Sequence, residues 1–342
     1  MTVTLTLSIL DQTIIQSGET STQAFQHTIQ LVKIAEKLGY HRFWVSEHHD
    51  LDNVVGSSPE VLISHLLAHT TRIRLGSGGV MLQHYSPYKV AENFHILASL
   101  APGRVDLGIG RAPGGLPLST RALQQEGGST RSLEEKLVEL EKFLHNNLEP
   151  EHPLYGLKAI PNPSQPAELY LLGTSVASAE LAAQRGVPYV FAQFINSDES
   201  VSLEAITTYR ERFVPRAIAK PQAILALSVI VSDTDENARK LANENEFVKI
   251  NLASGKTITV NSLKKAEEYG KHTSEPYTIE VKEPNIIAGS KETVRKRLLE
   301  IQRTYQVEEV VIITPVKDFQ KRVTSYELLA EAFSEQPVTN NL

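Results

Sequence analysis

A regular alternation of strand-like and helix-like segments constrains the fold of this 342-residue chain more than any other feature. Eight runs read as strands: residues 4–10, 43–46, 73–82, 105–109, 169–172, 189–192, 223–231 and 310–314. Helical patterns separate them. Residues 22–38 carry Ala24, Leu31, Ala35 and Leu38, and Gly39 follows as a C-terminal stop. Pro59 and Pro87 stand where a first-turn proline belongs, ahead of helices reaching His69 and Leu100. Ser132 and Glu135 make a capping box, behind which Leu133, Leu137, Leu140 and Leu144 recur at helical spacing. Helices over 175–185, 200–213, 291–305 and 319–333 complete the set.

Strict strand–helix alternation implies parallel pairing, because a right-handed crossover returns the chain to the same edge. Eight such units close a barrel. An open doubly wound sheet usually has fewer units, and no G-x-G-x-x-G follows the first strand. The expected fold is α/β, one (β/α)8 TIM-barrel domain over residues 1–342. Residues 237–287 break the rhythm. This polar, Lys/Glu-rich stretch is too long for an ordinary connection and predicts an insertion between strands seven and eight.

Composition then removes function classes. The chain holds 34 Lys and Arg against 40 Asp and Glu, a net charge of -6. No basic excess speaks for nucleic acid or an anionic membrane. There is no cysteine, so disulfides, thiolate catalysis and cysteine-ligated metals are excluded. The start, MTVTLTLSILDQ, lacks the basic and apolar regions of a signal peptide. No apolar run is long enough for a membrane span. A cytoplasmic enzyme is the expectation.

Barrel enzymes place their sites at the C-terminal ends of the strands, and the chemically unusual residues fall there. Glu47-His48-His49 ends strand two. Gly76, Gly78 and Gly79 lie in strand three, with Gln83 and His84 at its end. Gly108-Ile109-Gly110-Arg111 ends strand four, Gly173-Thr174-Ser175 strand five, and Gln193-Phe194 strand six. The glycine turn at 173, with hydroxyls at Thr174, Ser175 and Ser178 entering a helix, suits an anion such as phosphate; plain N-capping is the alternative. Arg111 suits bidentate phosphate pairing or a surface ion pair. Glu47-His48-His49 does not complete a metal ligand set, so no metal is expected. His48 is the candidate general acid or base, against a core histidine. The strand-three glycines admit a flat ligand, a bulge or tight packing. From the residues alone, the reading ends at a phosphate-bearing ligand across a barrel mouth beside a histidine.

Four segments resemble the bacterial luciferase-like monooxygenases: F-W-V-S-E-H-H, G-S-G-G-V-M-L, A-P-G-R-V-D-L-G-I-G-R-A-P-G and L-L-G-T-S-V-A-S-A-E-L-A-A-Q-R-G. The resemblance spans most of the chain and is weakest through the insertion. It implies a non-proline cis peptide at Gly78–Gly79 beneath a flavin. It also implies a flavin phosphate held by Arg111 with Gly173, Thr174, Ser175 and Ser178, joined by Arg121 or Arg131. His48 matches the family's active-site histidine. The position of luciferase's cysteine is Gly110 here, so light emission is not implied. The implied enzyme is a homodimeric FMN-dependent monooxygenase using O2 and a small organic substrate, with reduced FMN supplied by a separate reductase. An F420-dependent dehydrogenase or reductase, or a flavin-binding protein without turnover, are the alternatives. The insertion is expected to be a mobile lid, because a loop after strand seven emerges on the catalytic face.

Overall fold

The computed structural model describes residues 4–16, 18–124, 131–216, 218–245, 247–253, 255, 257–260, 263–273, 275–282 and 285–334. Seven parallel strands follow one another around a ring: β1 (Thr6–Asp11), β2 (Arg42–Val45), β3 (Arg74–Met81), β4 (Val105–Gly110), β5 (Glu168–Gly173), β6 (Tyr189–Ala192) and β7 (Ala223–Val231). Four further strands belong to the expected insertion and its exit: β8 (Phe247–Leu252), β9 (Thr257–Val260), β10 (Tyr277–Lys282) and β11 (Ile287–Gly289). The ring is completed by β12 (Glu309–Ile313), which pairs in parallel with both β7 and β1. This is the closed eight-stranded TIM barrel that the alternation requires.

The helices are α1 (Ser21–Leu38), α2 (Pro59–Leu67), α3 (Pro87–Leu100), α4 (Pro117–Gln124), α5 (Leu133–His145), α6 (Val176–Arg185), α7 (Glu199–Glu211), α8 (Asp235–Ala242), α9 (Leu263–His272), α10 (Lys291–Tyr305) and α11 (Phe319–Phe333). The α5 capping box forms as its sequence predicts, with Ser132 accepting from the Glu135 amide and Glu135 reaching back. Gly39 closes α1 at φ 82°, in the left-handed region where glycine carries no Cβ penalty. Three helices lie outside the sequence pattern: α4, α8 and α9. None of the described helices is long and apolar enough to cross a membrane.

Strand side chains alternate between two cores. Ile9 packs outward under the helices, whereas Leu10 joins Trp44, Tyr170, Val190, Ile224, Ala226, Val311 and Ile313 inside the ring. The N-terminal end of the barrel is plugged by charge. Arg42 donates to Glu309 at 2.7 Å, to Asp106 at 2.8 Å and to the Tyr170 hydroxyl at 2.7 Å. Trp44 Nε1 and Arg74 also donate to Asp106, at 2.9 Å and 3.0 Å. Buried charges persist only when paired and hydrogen-bonded in this way. The plug leaves the opposite end for ligands.

The insertion is a folded subunit of its own, where the sequence suggests only a polar stretch. Its antiparallel sheet runs β10-β8-β9. Val248, Ile250, Leu252, Ala266 and Tyr269 form its core, and Leu116, at the start of α4, packs against them. The ammonium of Lys265, on α9, donates to the side-chain oxygen of Asn53, in the loop after β2. The insertion therefore leaves the ring at β7 and touches segments that follow β2 and β4 on the far side. It crosses the mouth.

Candidate active site

The second strand stops at Val45, so Glu47, His48 and His49 lie on a loop where strand alternation no longer sorts their side chains. Glu47 is fully buried and acts as a hub. Its Oε1 accepts from His49 Nε2 at 2.8 Å and from the Tyr85 hydroxyl at 2.8 Å. Its Oε2 accepts the Met81 amide at 3.0 Å. The end of β2, the end of β3 and the turn after β3 are thus tied to one carboxylate. Burial, reinforced by the adjacent Glu47 charge, pushes the Tyr85 phenol well above its ordinary range.

His48 is half-buried. Its Nδ1 lies 3.0 Å from Ser46 Oγ, and its amide donates to Gly56 O at 2.8 Å. Burial, and then the positive fields of His49 and Lys265, lower its pKa to about 4. The ring is consequently neutral near pH 7. This narrows the expected role: His48 can accept a proton or donate from its neutral N–H, but it is not a resting imidazolium acid. Nε2 has no partner among the described residues.

The Gly78–Gly79 bond is cis, as the family resemblance implies. The β3–β4 register shifts between Gly78 and Val80, so a bulge is present. Close packing also requires these glycines. A Cβ on Gly76 would stand 2.6 Å from Asp106, one on Gly78 2.7 Å from Leu10, and one on Gly79 2.7 Å from the carbonyl oxygen of Gly108. A flat ligand is not needed to explain them.

At β5 the glycine turn leads into α6. Ser175 is the N-cap and accepts the Ser178 amide at 3.3 Å. Ser178 Oγ donates to Ser175 O at 2.7 Å and lies 2.9 Å from the Tyr189 hydroxyl. A Cβ on Gly173 would fall 2.1 Å from that oxygen, so only glycine allows the turn to close. Thr174 contributes its carbonyl to Asn196, at 2.9 Å. The N-capping alternative is realised for Ser175 and Ser178, yet the Val176 and Ala177 amides find no acceptor among the described residues. Both can face an anion at the helix N-terminus.

Arg111 emerges just beyond β4. The β4–β5 pairing ends at Ile109 and Leu171, two residues before Arg111 and two before Gly173. Arg111 is exposed and makes no ion pair or hydrogen bond among the described residues. Arg121, in the last turn of α4, is similarly uncommitted. Arg131 instead pairs with Glu139 at 2.7 Å and donates to the Glu135 carbonyl at 3.2 Å, holding the start of α5. Among the described residues, no three His, Asp or Glu side chains are grouped as a metal site.

Sequence reasoning missed three residues that shape the mouth. Glu47 was weighed only as a metal ligand. Lys265 lies in the insertion, which has no readable pattern. Lys136 is buried, and its ammonium donates to the carbonyls of Leu82, Gln83 and Tyr85 at 3.3, 2.9 and 3.1 Å. That cage holds the turn following β3. Its signal was available: Lys136 falls within the apolar stripe of α5, between Leu133 and Leu140.

Comparisons with known proteins agree with this arrangement. The family model described as luciferase-like monooxygenase matches residues 5–306. The N-acetyl-S-alkylcysteine monooxygenase of Bacillus subtilis (strain 168) is 46% identical over 327 residues, covering 95% of this chain and 97% of that protein. The crystal structure of apo-MsnO8 is 33% identical, with a TM-score of 0.79, over 98% of this chain and 99% of the other. The oxygenating constituent of 3,6-diketocamphane monooxygenase from the CAM plasmid of Pseudomonas putida, solved with FMN, shares the fold at a TM-score of 0.66 and 18% identity, over 96% of this chain and 98% of that one. With its barrel, its cis Gly78–Gly79 bond and matches running almost end to end, the chain belongs to the luciferase-like monooxygenase family.

Proposed function

We propose that the protein is the oxygenase of a two-component system, using reduced FMN from a separate reductase and O2 on a small thioether related to N-acetyl-S-alkylcysteines. What supports this reading is that the ends of the adjacent strands β4 and β5 carry groups suited to an anion: Arg111, without an ion pair among the described residues, after β4, and the Val176 and Ala177 amides, without an acceptor among them, after β5. These groups lie on the same end of the barrel as His48 and the Gly78–Gly79 bond. The substrate class is suggested by the Bacillus relative, and the supply of reduced flavin by the FMN-bound oxygenating constituent.

In this reading Arg111, the α6 amides and the Ser175 hydroxyl would hold the flavin phosphate, with Arg121 close enough in sequence to join them. FMN, when bound in reduced form, supplies the oxygen-activating chemistry. The chain's own share is to position and shield. Glu47 and Lys136 hold the turn after β3, and Ser46 orients His48 through Nδ1. Nε2 is left to take or return a proton, while the insertion keeps water from the mouth. A second copy of the chain is the proposed dimer partner.

The test is titration of FMN and F420 into the wild type and Arg111→Ala. Loss of a shielded, charge-assisted phosphate contact should weaken FMN by about 2–3 kcal/mol. Unchanged FMN affinity in a folded variant would remove Arg111 from the site. Tight binding of F420 in place of FMN would move the protein to the deazaflavin branch. FMN binding without substrate-dependent O2 uptake would make it a flavin carrier.

A further inference from the structure

Asp11 is a buried carboxylate at the mouth end of β1, outside the site described above. Its Oδ2 accepts the hydroxyl of Thr28, on α1, at 2.5 Å. Thr28 Oγ1 also lies 3.3 Å from Thr13 Oγ1. A hydroxyl donates one proton, and that of Thr28 points to Asp11, so the Thr13 hydroxyl is the donor to Thr28. Thr28 and Thr13 are each 2% exposed. On its other side Asp11 faces the equally buried Arg322, on α11, whose Nη1 stands 3.9 Å from Oδ1. Thr13 sits at φ 51°, a left-handed backbone that β-branched residues rarely adopt. Such a conformation persists only where the surroundings over-determine it.

The segment that this chain of side chains secures is stitched to the loop carrying His48. The Asp11 carbonyl accepts the Ser46 amide at 3.1 Å, and the Thr13 carbonyl accepts the Val55 amide at 3.2 Å. The Ile15 amide donates to Asn53 O at 2.9 Å, and Ile14 bridges Val54 in antiparallel fashion. The loop closes on itself where the His48 amide donates to Gly56 O at 2.8 Å. Gly56 is wedged between the two segments: a Cβ there would stand 3.1 Å from Ser46 O and 3.6 Å from Thr13 Oγ1. The chain is thus tied to residues 11–15 both before His48 and after it.

We propose that Asp11, Thr28 and Thr13 are positioning residues for His48, holding the loop 46–56 closed so that its ring stays withdrawn from water. The proposal rests on the acid–base reading of His48 above. The influence travels by the backbone, since these side chains hydrogen-bond one another and none of them bonds the imidazole. The charges that act on the ring come from elsewhere, from His49 beside it and from Lys265 on α9. Tying α1 to β1 needs only the Asp11–Thr28 bond. The extension to Thr13 secures a left-handed residue whose carbonyl holds Val55, and so serves the loop.

Thr28→Val keeps the side-chain shape and removes the hydroxyl, whereas Thr28→Ser keeps the hydroxyl. Histidine-selective NMR of the free enzyme follows the His48 imidazole, whose pKa burial holds at about 4. Thr28→Val should raise it to at least about 5, toward the ordinary value of about 6.5, as water reaches the ring. With reduced FMN and an N-acetyl-S-alkylcysteine saturating, kcat should fall about ten-fold while FMN Kd stays within about two-fold of wild type. Thr28→Ser should restore both. Thr13→Gly removes the other hydroxyl yet suits a left-handed backbone, so it should repeat the pKa rise with little change in melting temperature. The titration needs neither flavin nor substrate, so a failure of the flavin reading leaves it intact. A wild-type His48 titration in folded Thr28→Val and Thr13→Gly, whatever their stability or turnover, overturns the proposal. A raised pKa with unchanged kcat upholds the positioning and overturns the acid–base reading of His48 instead.

Discussion

Replacing Glu47 with leucine removes the one acceptor shared by three parts of the mouth. The Met81 amide, the Tyr85 hydroxyl and His49 Nε2 would all lose their partner. Each stranded donor costs about 1–3 kcal/mol when it cannot reach water. Tyr85 and His49 are half-buried and can turn outward, so the low end applies to them, whereas the Met81 amide is fixed in a strand. Relief of the carboxylate's own burial offsets part of the sum. The expected loss is about 2–3 kcal/mol, a fall in melting temperature on the order of 5 °C for a chain this long. Glu47→Gln keeps the shape and one acceptor oxygen, and should lose about half as much. Urea unfolding followed by circular dichroism reads the stability. FMN titration should show a loss of about ten-fold, because the end of β3 is no longer held. With the carboxylate charge gone, the Tyr85 phenol should also titrate at lower pH. If Glu47→Leu unfolds within about 0.5 kcal/mol of wild type, the hub is not holding the mouth together.

His48→Ala should bind FMN normally and melt near the wild-type temperature, yet turn over at least about 10²-fold more slowly; a large loss of stability with normal turnover would make it a core histidine. Since burial holds the His48 pKa near 4, its neutral form persists as pH falls through the ordinary imidazole range, so the acidic limb of kcat should lie near pH 4. A limb near about 6.5 would mean that His48 is not so shielded. The insertion should gain amide-exchange protection when flavin and substrate bind, and its removal should leave FMN affinity within about a few-fold while more hydrogen peroxide is released. Full protection in the free protein would mark it as a rigid cover instead of a lid.

The barrel was legible because its signal is repeated eight times and each unit is locally consistent. The α5 capping box, the N1 prolines of α2 and α3 and the stop at Gly39 carry their structure in a few adjacent residues. At the candidate site, what was legible is local: the Gly173 turn and the capping hydroxyls of Ser175 and Ser178. The site was not legible where a side chain works across the fold. Glu47 serves Met81 and Tyr85, more than thirty residues away. Lys265 meets Asn53 across 212 positions. The insertion hid its fold because β8, β9 and β10 bury little outside their own small core. The helix α4 went unread because it buries none of its residues.

The place where the insertion joins the ring has an engineering consequence. It departs after Val231 and returns through β11, whose Gly289 pairs with that same Val231. Its two ends are therefore about one strand spacing apart, close to 5 Å. A segment whose ends nearly meet can be exchanged with little cost in loop closure and without moving the eight ring strands. Residues 232–288, flanked by the directly paired Val231 and Gly289, thus amount to a cassette. Swapping it between family members would exchange the segment that crosses the mouth while leaving Arg111, the Glu47 hub and the charged plug untouched. Substrate choice could then diversify by replacement of one contiguous piece of chain.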